Sequence, residues 1–242
     1  MTTIIKYLTA VILGSILFSC NFDINMGPGI KGNGNVVTVE RDLDPNFDEI
    51  VISRGVDVYL TQSENESLTV QADENLHDII MTKVKDNVLE IYADENIGQA
   101  SSKKILLNFD QVSKIKATSG TDVYSTNTIT CEKLYLSTTS GSDMELDIDT
   151  KTVDCESTSG SDLKLTGTTH TLIAKATSGS DIKAHNLSSQ VCNVQATSGA
   201  DITVNTSERL HASASSGGDI KYYGNPKEVS AKDSASGSIK KH

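Results

Sequence analysis

The sequence predicts an all-β fold, a β-solenoid with about 20 residues per coil, and three observations carry that prediction. The first is a repeat. The Gly of an SG dipeptide recurs at Gly120, Gly141, Gly160, Gly179, Gly199, Gly217 and Gly237, at intervals of 21, 19, 19, 20, 18 and 20 residues. A fixed period near 20 marks a solenoid, in which each repeat buries its apolar face against its neighbours. The second is alternation with period 2 around each Gly, the pattern of a strand with one face inward. Three residues before the Gly stand Ala117, Thr138, Ser157, Ala176, Ala196, Ala214 and Ser234; five before stand Ile115, Leu136, Cys155, Ala174, Val194, Ala212 and Lys232; three after stand Val123, Met144, Leu163, Ile182, Ile202 and Ile220. The third is that no segment carries a convincing apolar stripe at helical spacing.

The chain begins MTTIIKYLTAVILGSILFSC, with Lys6 ahead of an apolar run of 11 residues from Leu8 to Phe18. A membrane-spanning helix needs about 20, so residues 1–20 read as a secretory signal. Leu17-Phe18-Ser19-Cys20 resembles the lipobox of bacterial lipoproteins. That resemblance implies cleavage before Cys20, acylation of its thiol and attachment to a membrane; an ordinary signal peptide that contains a cysteine is the alternative. Residues 21–34, with MGPGIKGNGN, read as a Gly-rich linker. The β-like runs Val36–Val39, Ile50–Ser53, Val56–Leu60, Leu68–Ala72, Ile79–Val84, Val88–Tyr92 and Lys104–Phe109 are expected to form the first coils, so residues 35–242 read as one domain.

In the repeats that follow, TSGSD is the corner of a coil. Gly takes backbone angles closed to other residues and lets the chain bend sharply, and the Asp two positions on is expected to bond backbone N–H groups as in an Asx turn. This gives a turn ladder of Gly120, Asp122, Gly141, Asp143, Gly160, Asp162, Gly179, Asp181, Gly199, Asp201, Gly217 and Asp219. The Thr-Ser pairs before each Gly are expected to bond along the stack. In the last repeat the Asp is lost and Lys232 falls in an otherwise apolar column, which suits a polar cap over an open sheet edge.

Stacked carboxylates about 4.8 Å apart repel, and two positions after each Asp come Tyr124, Glu145, Lys164, Lys183, Thr203 and Lys221. Lysine relief is thus missing around Asp122, Asp143, Glu145 and Asp162, the place where a calcium ion would sit if one were bound. The nonapeptide of calcium-binding β-rolls is absent, and no other cofactor is implied. CxxC and HExxH are absent too, which leaves zinc without support. Three cysteines follow Cys20, and Cys155 and Cys192 stand two coils apart, about 10 Å; that is too far for a disulfide, so buried free thiols are expected. Tyr124, Tyr135, Tyr222 and Tyr223 are expected to point outward as contact residues.

Beyond residue 20 the chain keeps 20 basic and 32 acidic residues, a net charge of −12, which argues against nucleic acid and anionic lipid surfaces as partners. The run from Phe47 to Ile97, FDEIVISRGVDVYLTQSENESLTVQADENLHDIIMTKVKDNVLEIYADENI, followed by the SGSD coils, resembles the head GIN domain family of auto-transporter adhesins. Ser53-Arg54-Gly55-Val56-Asp57-Val58 sits where the family has its Gly-Ile-Asn-like turn, with Val and Asp in place of Ile and Asn. The resemblance implies a right-handed parallel β-helix on a bacterial surface and supplies no catalytic residues.

The functional expectation is therefore a non-catalytic, membrane-anchored lipoprotein of the outer membrane, engaged in adhesion or surface interaction with a protein or glycan partner. A periplasmic scaffold or sensing protein of the cell envelope is the alternative. A polysaccharide-processing β-helix enzyme is more remote: it would need clustered acids, basic residues and aromatic rings in a groove, and the chain has no Trp and only Arg41, Arg54 and Arg209.

Overall fold

Period-2 alternation interrupted by a tight corner can only bury its inward face by stacking coil on coil, and the chain does so. The computed structural model describes residues 28–242 apart from Ala235; the segment expected as a signal and Cys20 lie outside the described residues. Seven strands make the N-terminal part: β1 (Val36–Arg41), β2 (Glu49–Ser53), β3 (Asp57–Gln62), β4 (Ser67–Asp73), β5 (Ile80–Lys85), β6 (Val88–Ala93) and β7 (Lys103–Phe109). The repeats supply β8 (Lys114–Thr118), β9 (Asp122–Ser125), β10 (Ile129–Thr139), β11 (Asp143–Thr158), β12 (Asp162–Thr177), β13 (Asp181–Thr197), β14 (Asp201–Ser215), β15 (Asp219–Tyr223), β16 (Glu228–Asp233) and β17 (Ser238–Lys241).

From β8 onward every pairing is parallel, and the register advances by about one coil at a time: Ile115 faces Leu136, then Cys155, Ala174, Val194 and Ala212. This column continues below through Ile50 to Leu89. Its side chains shrink from Leu and Ile to Cys and Ala along the axis, and all from Leu89 to Ala212 are buried. A second inward column runs Ile105, Val58, Val123, Met144, Leu163, Ile182, Ile202 and Ile220. Burial of such side chains is the main term holding the stack together, roughly 1.5–3 kcal/mol for each large one.

Coil order departs from chain order at the N-terminal end. β2 lies between β6 and β8, and β3 between β7 and β9, all in parallel. After β1, itself part of the cap, the chain lays β2 and β3 on the second level, leaves it to build the rest of the cap, and returns to lay β6 and β7 outside them. The cap is antiparallel: β4 pairs with both β1 and β7, and β5 pairs with β6. Buried Asp73 ties it together, accepting from the N–H groups of Gly34 (2.9 Å), Ser101 (3.1 Å) and Ser102 (2.9 Å). Burial pushes its carboxyl up, but the three backbone donors outweigh this and hold it below the usual range. Part of the stretch expected as linker is docked here as well, since Ile30 N–H donates to Asn96 O at 2.7 Å and Gly98 N–H to Ile30 O at 2.9 Å.

At the other end the register corrects the expectation for Lys232. Ala214 faces Asp233 and Asp219 faces Ser238, so the last corner keeps its length and Gly237 takes the place of Gly218 rather than of Gly217. Lys232 therefore faces Ser213 on the outward side, Ala231 continues the apolar column, and Asp233 follows Ala214. The polar group entering an apolar column at the open end is Asp233, which leaves the polar cap in place with a different residue.

Candidate functional site

Each corner is made by two consecutive residues in the left-handed region: Ser119 and Gly120 at φ 60° and 67°, Ser159 and Gly160 at 58° and 67°, Ser178 and Gly179 at 58° and 69°. Arg54 and Gly55, at 61° and 75°, form the same corner one level earlier, where the Gly-Ile-Asn-like turn was placed. The corner amides bond along the axis, with Gly120 N–H donating to Ser140 O at 3.2 Å and Asp143 N–H to Thr121 O at 2.9 Å.

Two sequence expectations about this corner are corrected, the second in part. The cap is the hydroxyl after the Gly, not the Asp carboxylate: buried Ser142 Oγ accepts from Thr139 N–H at 3.1 Å and lies 2.9 Å from Ala117 O in the neighbouring coil, and Ser180 repeats the arrangement against Thr177 N–H and Ser157 O. The Thr-Ser pairs face each other within one coil, as at Thr177–Ser178, and the expected bond along the stack is present at Thr197, which accepts from Ser215 Oγ at 3.2 Å. It is the residue after Gly, small and buried, that stitches coils together, joined by a buried trio of Thr138, Ser157 and Ser161 at 2.9–3.2 Å. The signal was present in the sequence, as Thr121, Ser142, Ser161, Ser180 and Ala200 are all small residues.

Freed from capping, the Asp column stands outward in register: Asp122, Asp143, Asp162, Asp181, Asp201 and Asp219 face one another in turn. Asp57 adds a seventh rung, facing Asp122. Beside it runs the column Tyr59, Tyr124, Glu145, Lys164, Lys183, Thr203 and Lys221. Lys183 lies 2.7 Å from Asp162 and 3.5 Å from Asp181, Lys164 lies 2.6 Å from Glu145, and Lys103 lies 3.1 Å from Asp57. Three carboxyls of the column that form no ion pair among the described residues are raised, because desolvation and neighbouring carboxylates outweigh the more distant lysines Lys103, Lys183 and Lys221. Desolvation and then Asp57 raise Asp122; desolvation and then Asp162 and Asp122 raise Asp143; desolvation and then Asp181 and Asp219 raise Asp201.

The proposed calcium set does not form a site. Glu145 and Asp162 each hold a lysine, and among the described residues no three His, Cys, Asp or Glu side chains converge.

Tyr124 stacks on Tyr59 with ring centroids 5.3 Å apart, and Tyr223 stacks on His242 at 5.0 Å. Tyr222 corrects the outward expectation, for it follows Val204 in an inward column and packs partly buried on the core. Cys155 and Cys192 are buried and free as expected, while Cys131 is free but only half-buried. Burial pushes all three thiols up. The three arginines fasten the fold: Arg41 donates to Ile80 O at 2.6 Å and His77 O at 2.7 Å, Arg54 to Ala93 O at 3.2 Å, and Arg209 to Glu228 at 3.0 Å.

Residues 46–226 match the model of the family described as "Putative auto-transporter adhesin, head GIN domain". No curated protein matches the chain. Among solved structures, a putative adhesin from Bacteroides fragilis is similar at 24% identity and TM-score 0.81, covering 88% of this chain and 100% of its own. A putative adhesin from Parabacteroides merdae follows at 18% identity, TM-score 0.72 and coverage of 88% and 98%. A putative lipid binding protein from Parabacteroides distasonis stands at 21%, 0.70, 88% and 99%. Likenesses at such identity speak for the fold; the family match over most of the sequence is what establishes membership. The chain belongs to the head GIN domain family.

Proposed function

We propose that this chain is an exported lipoprotein of the bacterial envelope, acylated at Cys20, whose solenoid over residues 35–242 acts as a non-catalytic adhesin. One observation carries the adhesive reading: identical outward rungs repeat in register along a rigid stack, from Asp57 to Asp219. A rod of that kind presents the same chemistry at fixed spacing, which suits weak contacts summed by multivalency. The family description and the adhesin names of the structural neighbours support the same reading. The arginines, each committed to a carbonyl or carboxylate partner, support a binding surface over a catalytic groove.

Two measurements test the proposal. Protease added to intact producing cells should remove the solenoid while a periplasmic control survives; full protection would sink the adhesin reading in favour of a scaffold inside the envelope. Cys20→Ser should release the chain from the membrane fraction and abolish incorporation of labelled palmitate; a variant that still fractionates with membranes would sink the lipid anchor.

A further inference from the structure

Away from the Asp column, two adjoining depressions lie where the third level meets the fourth. The first, of about 420 Å³, is lined by Ser113, Lys114, Lys116, Lys133 and Tyr135. The second, of about 580 Å³, shares Ser113 and Lys133 and extends over Asp48, Asp110 and Gln111. Register explains the first: Lys114 faces Tyr135 and Lys116 faces Ser137 across β8 and β10, and Lys133 precedes Tyr135 by two, so all share the outward face. Lys114 is held by Glu49 at 2.9 Å and sits 5.8 Å from the centre of the Tyr135 ring. Lys116 and Lys133 make no ion pair among the described residues. Of the acids around this ring, Glu49 is taken by Lys114 and Glu156 by Lys175. Among the described residues Lys116 and Lys133 thus stand against one carboxylate without an ion pair, Asp154 opposite Tyr135, a locally positive balance on a chain of net charge −11.

The second depression has the opposite character, with Asp48, Asp110 and the Gln111 amide on its wall. Its floor is fixed: Gln62 donates to Asp110 O at 2.9 Å and to Thr130 O at 3.1 Å while accepting from Thr130 N–H at 2.7 Å. A groove fixed before binding loses less entropy when it is filled.

We propose that these two depressions form one carbohydrate-binding groove for an oligosaccharide that carries a single acidic sugar, a proposal that rests on the adhesin reading. Lys116 and Lys133 take the carboxylate or sulfate, and the half-buried Tyr135 ring takes the apolar face of a pyranose. Asp48, Asp110 and Gln111 take the hydroxyls of the neighbouring neutral sugars. A continuous polyanion, whether an acidic peptide or a nucleic acid, is disfavoured because its next charge would meet Asp48 and Asp110. The volumes lie within the range of ordinary ligand sites, about 300–1,000 Å³.

The test is titration of the full chain in detergent with 3′-sialyllactose and 3′-sulfolactose, alongside lactose and hexaglutamate. Binding is expected for at least one acidic sugar, and the lysine pair should make it at least tenfold tighter than the controls. Raising salt from 50 to 500 mM should weaken it. The double substitution Lys116→Gln/Lys133→Gln, one position half-buried and the other exposed, should cost roughly tenfold. Tyr135→Ala should weaken both acidic sugars, and Lys227→Gln, an exposed lysine paired with Glu208 towards the other end of the stack, should change nothing. Failure of both acidic sugars, equal binding of lactose, tighter binding of hexaglutamate, or indifference to the lysine pair would each overturn the proposal. Attachment of producing cells to surfaces coated with the same sugars separates the two readings. Binding by the purified chain without attachment keeps the groove and removes the adhesin role, and attachment that ignores the lysine pair does the reverse.

Discussion

Asp143→Asn should make this protein more stable at neutral pH, although it removes a charge from a column that repeats seven times. Asp143 is exposed and faces Asp122 on one side and Asp162 on the other. At the interstrand distance of about 4.8 Å, each neighbour costs roughly 0.9 kcal/mol in water and more at a partly desolvated surface. Lys183, 2.7 Å from Asp162, offsets part of this. With exposure and screening the net gain from Asp143→Asn is about 1 kcal/mol, or a rise of about 2–4 °C in Tm for a chain this size.

The pH dependence follows from the direction of the shift. Desolvation, then Asp162 and Asp122, raise the Asp143 carboxyl. A raised folded pKa means that its favourable contribution is present below the unfolded value, about 3.9, and is lost as pH climbs through the folded one. The advantage of the amide should therefore be absent near pH 3, emerge above pH 4 and shrink in 1 M salt. Thermal unfolding of wild type, Asp143→Asn and Asp143→Ala at pH 3, 5 and 7 reads all of this. Alanine distinguishes the two roles the sequence allows: a repelling carboxylate predicts stabilisation by both variants, whereas a capping carboxylate predicts that alanine costs about 1 kcal/mol. Destabilisation by both variants, or a gain that does not depend on pH, would refute the reasoning. Asp162→Asn is the contrast, since it gives up the Lys183 pair and should be neutral or slightly destabilising.

Glycine substitutions should separate corner from close contact. At Gly160 an added Cβ meets nothing within 4 Å, so Gly160→Ala costs only its left-handed backbone, about 1–2 kcal/mol. At Gly167, φ 104°, the Cβ would lie 2.1 Å from Ile148 O, and Gly167→Ala should cost 3 kcal/mol or more in urea unfolding; equal costs would contradict the packing of β12 on β11. Cys155 and Cys192 should resist a thiol reagent in the native protein, with Cys131 reacting slowly and all three reacting in denaturant; rapid native reaction of Cys155 would contradict its buried column. Asp73→Asn should unfold the cap at neutral pH, seen as faster amide exchange at Ser101 and Ser102, and the loss should shrink as pH falls. Its depressed folded pKa contributes stability above about pH 3.9 that disappears at lower pH, so a penalty that grows in acid would exclude the three-donor arrangement.

What was readable in the sequence and what was not divides along one line, the distance over which information is stored. The corner, the strand alternation and the columns from Ile115 to Ala212 were readable because each lies within one 20-residue repeat, and a short repeat confesses its period six times over. The role of the residue after Gly was in the same window but hidden by chemistry, since Ser serves equally as a surface residue or as a buried hydroxyl cap; only the backbone angles, with two left-handed residues in succession, put Ser142 inside and Asp143 outside. The cap's strands were readable as the runs Val36–Val39, Leu68–Ala72 and Ile79–Val84, but they were expected as first coils, and their antiparallel pairing was not readable. Nothing local tells Val88–Ala93 to pass beneath Glu49–Ser53, because that choice is made by pairings 39 residues apart, by antiparallel β4 closing against β7 and by Asp73 gathering amides from two distant segments. A repeat protein needs such an irregular end, since a perfectly regular one would expose a fresh sheet edge for a second copy to extend. The lysine groove lies where that irregular end meets the regular coils, at β8 and β10, with Asp48 and Gln62 brought in from the levels beneath. The repeats build a rod of similar rungs, and the lysine groove takes its distinct character from the place where that likeness is broken.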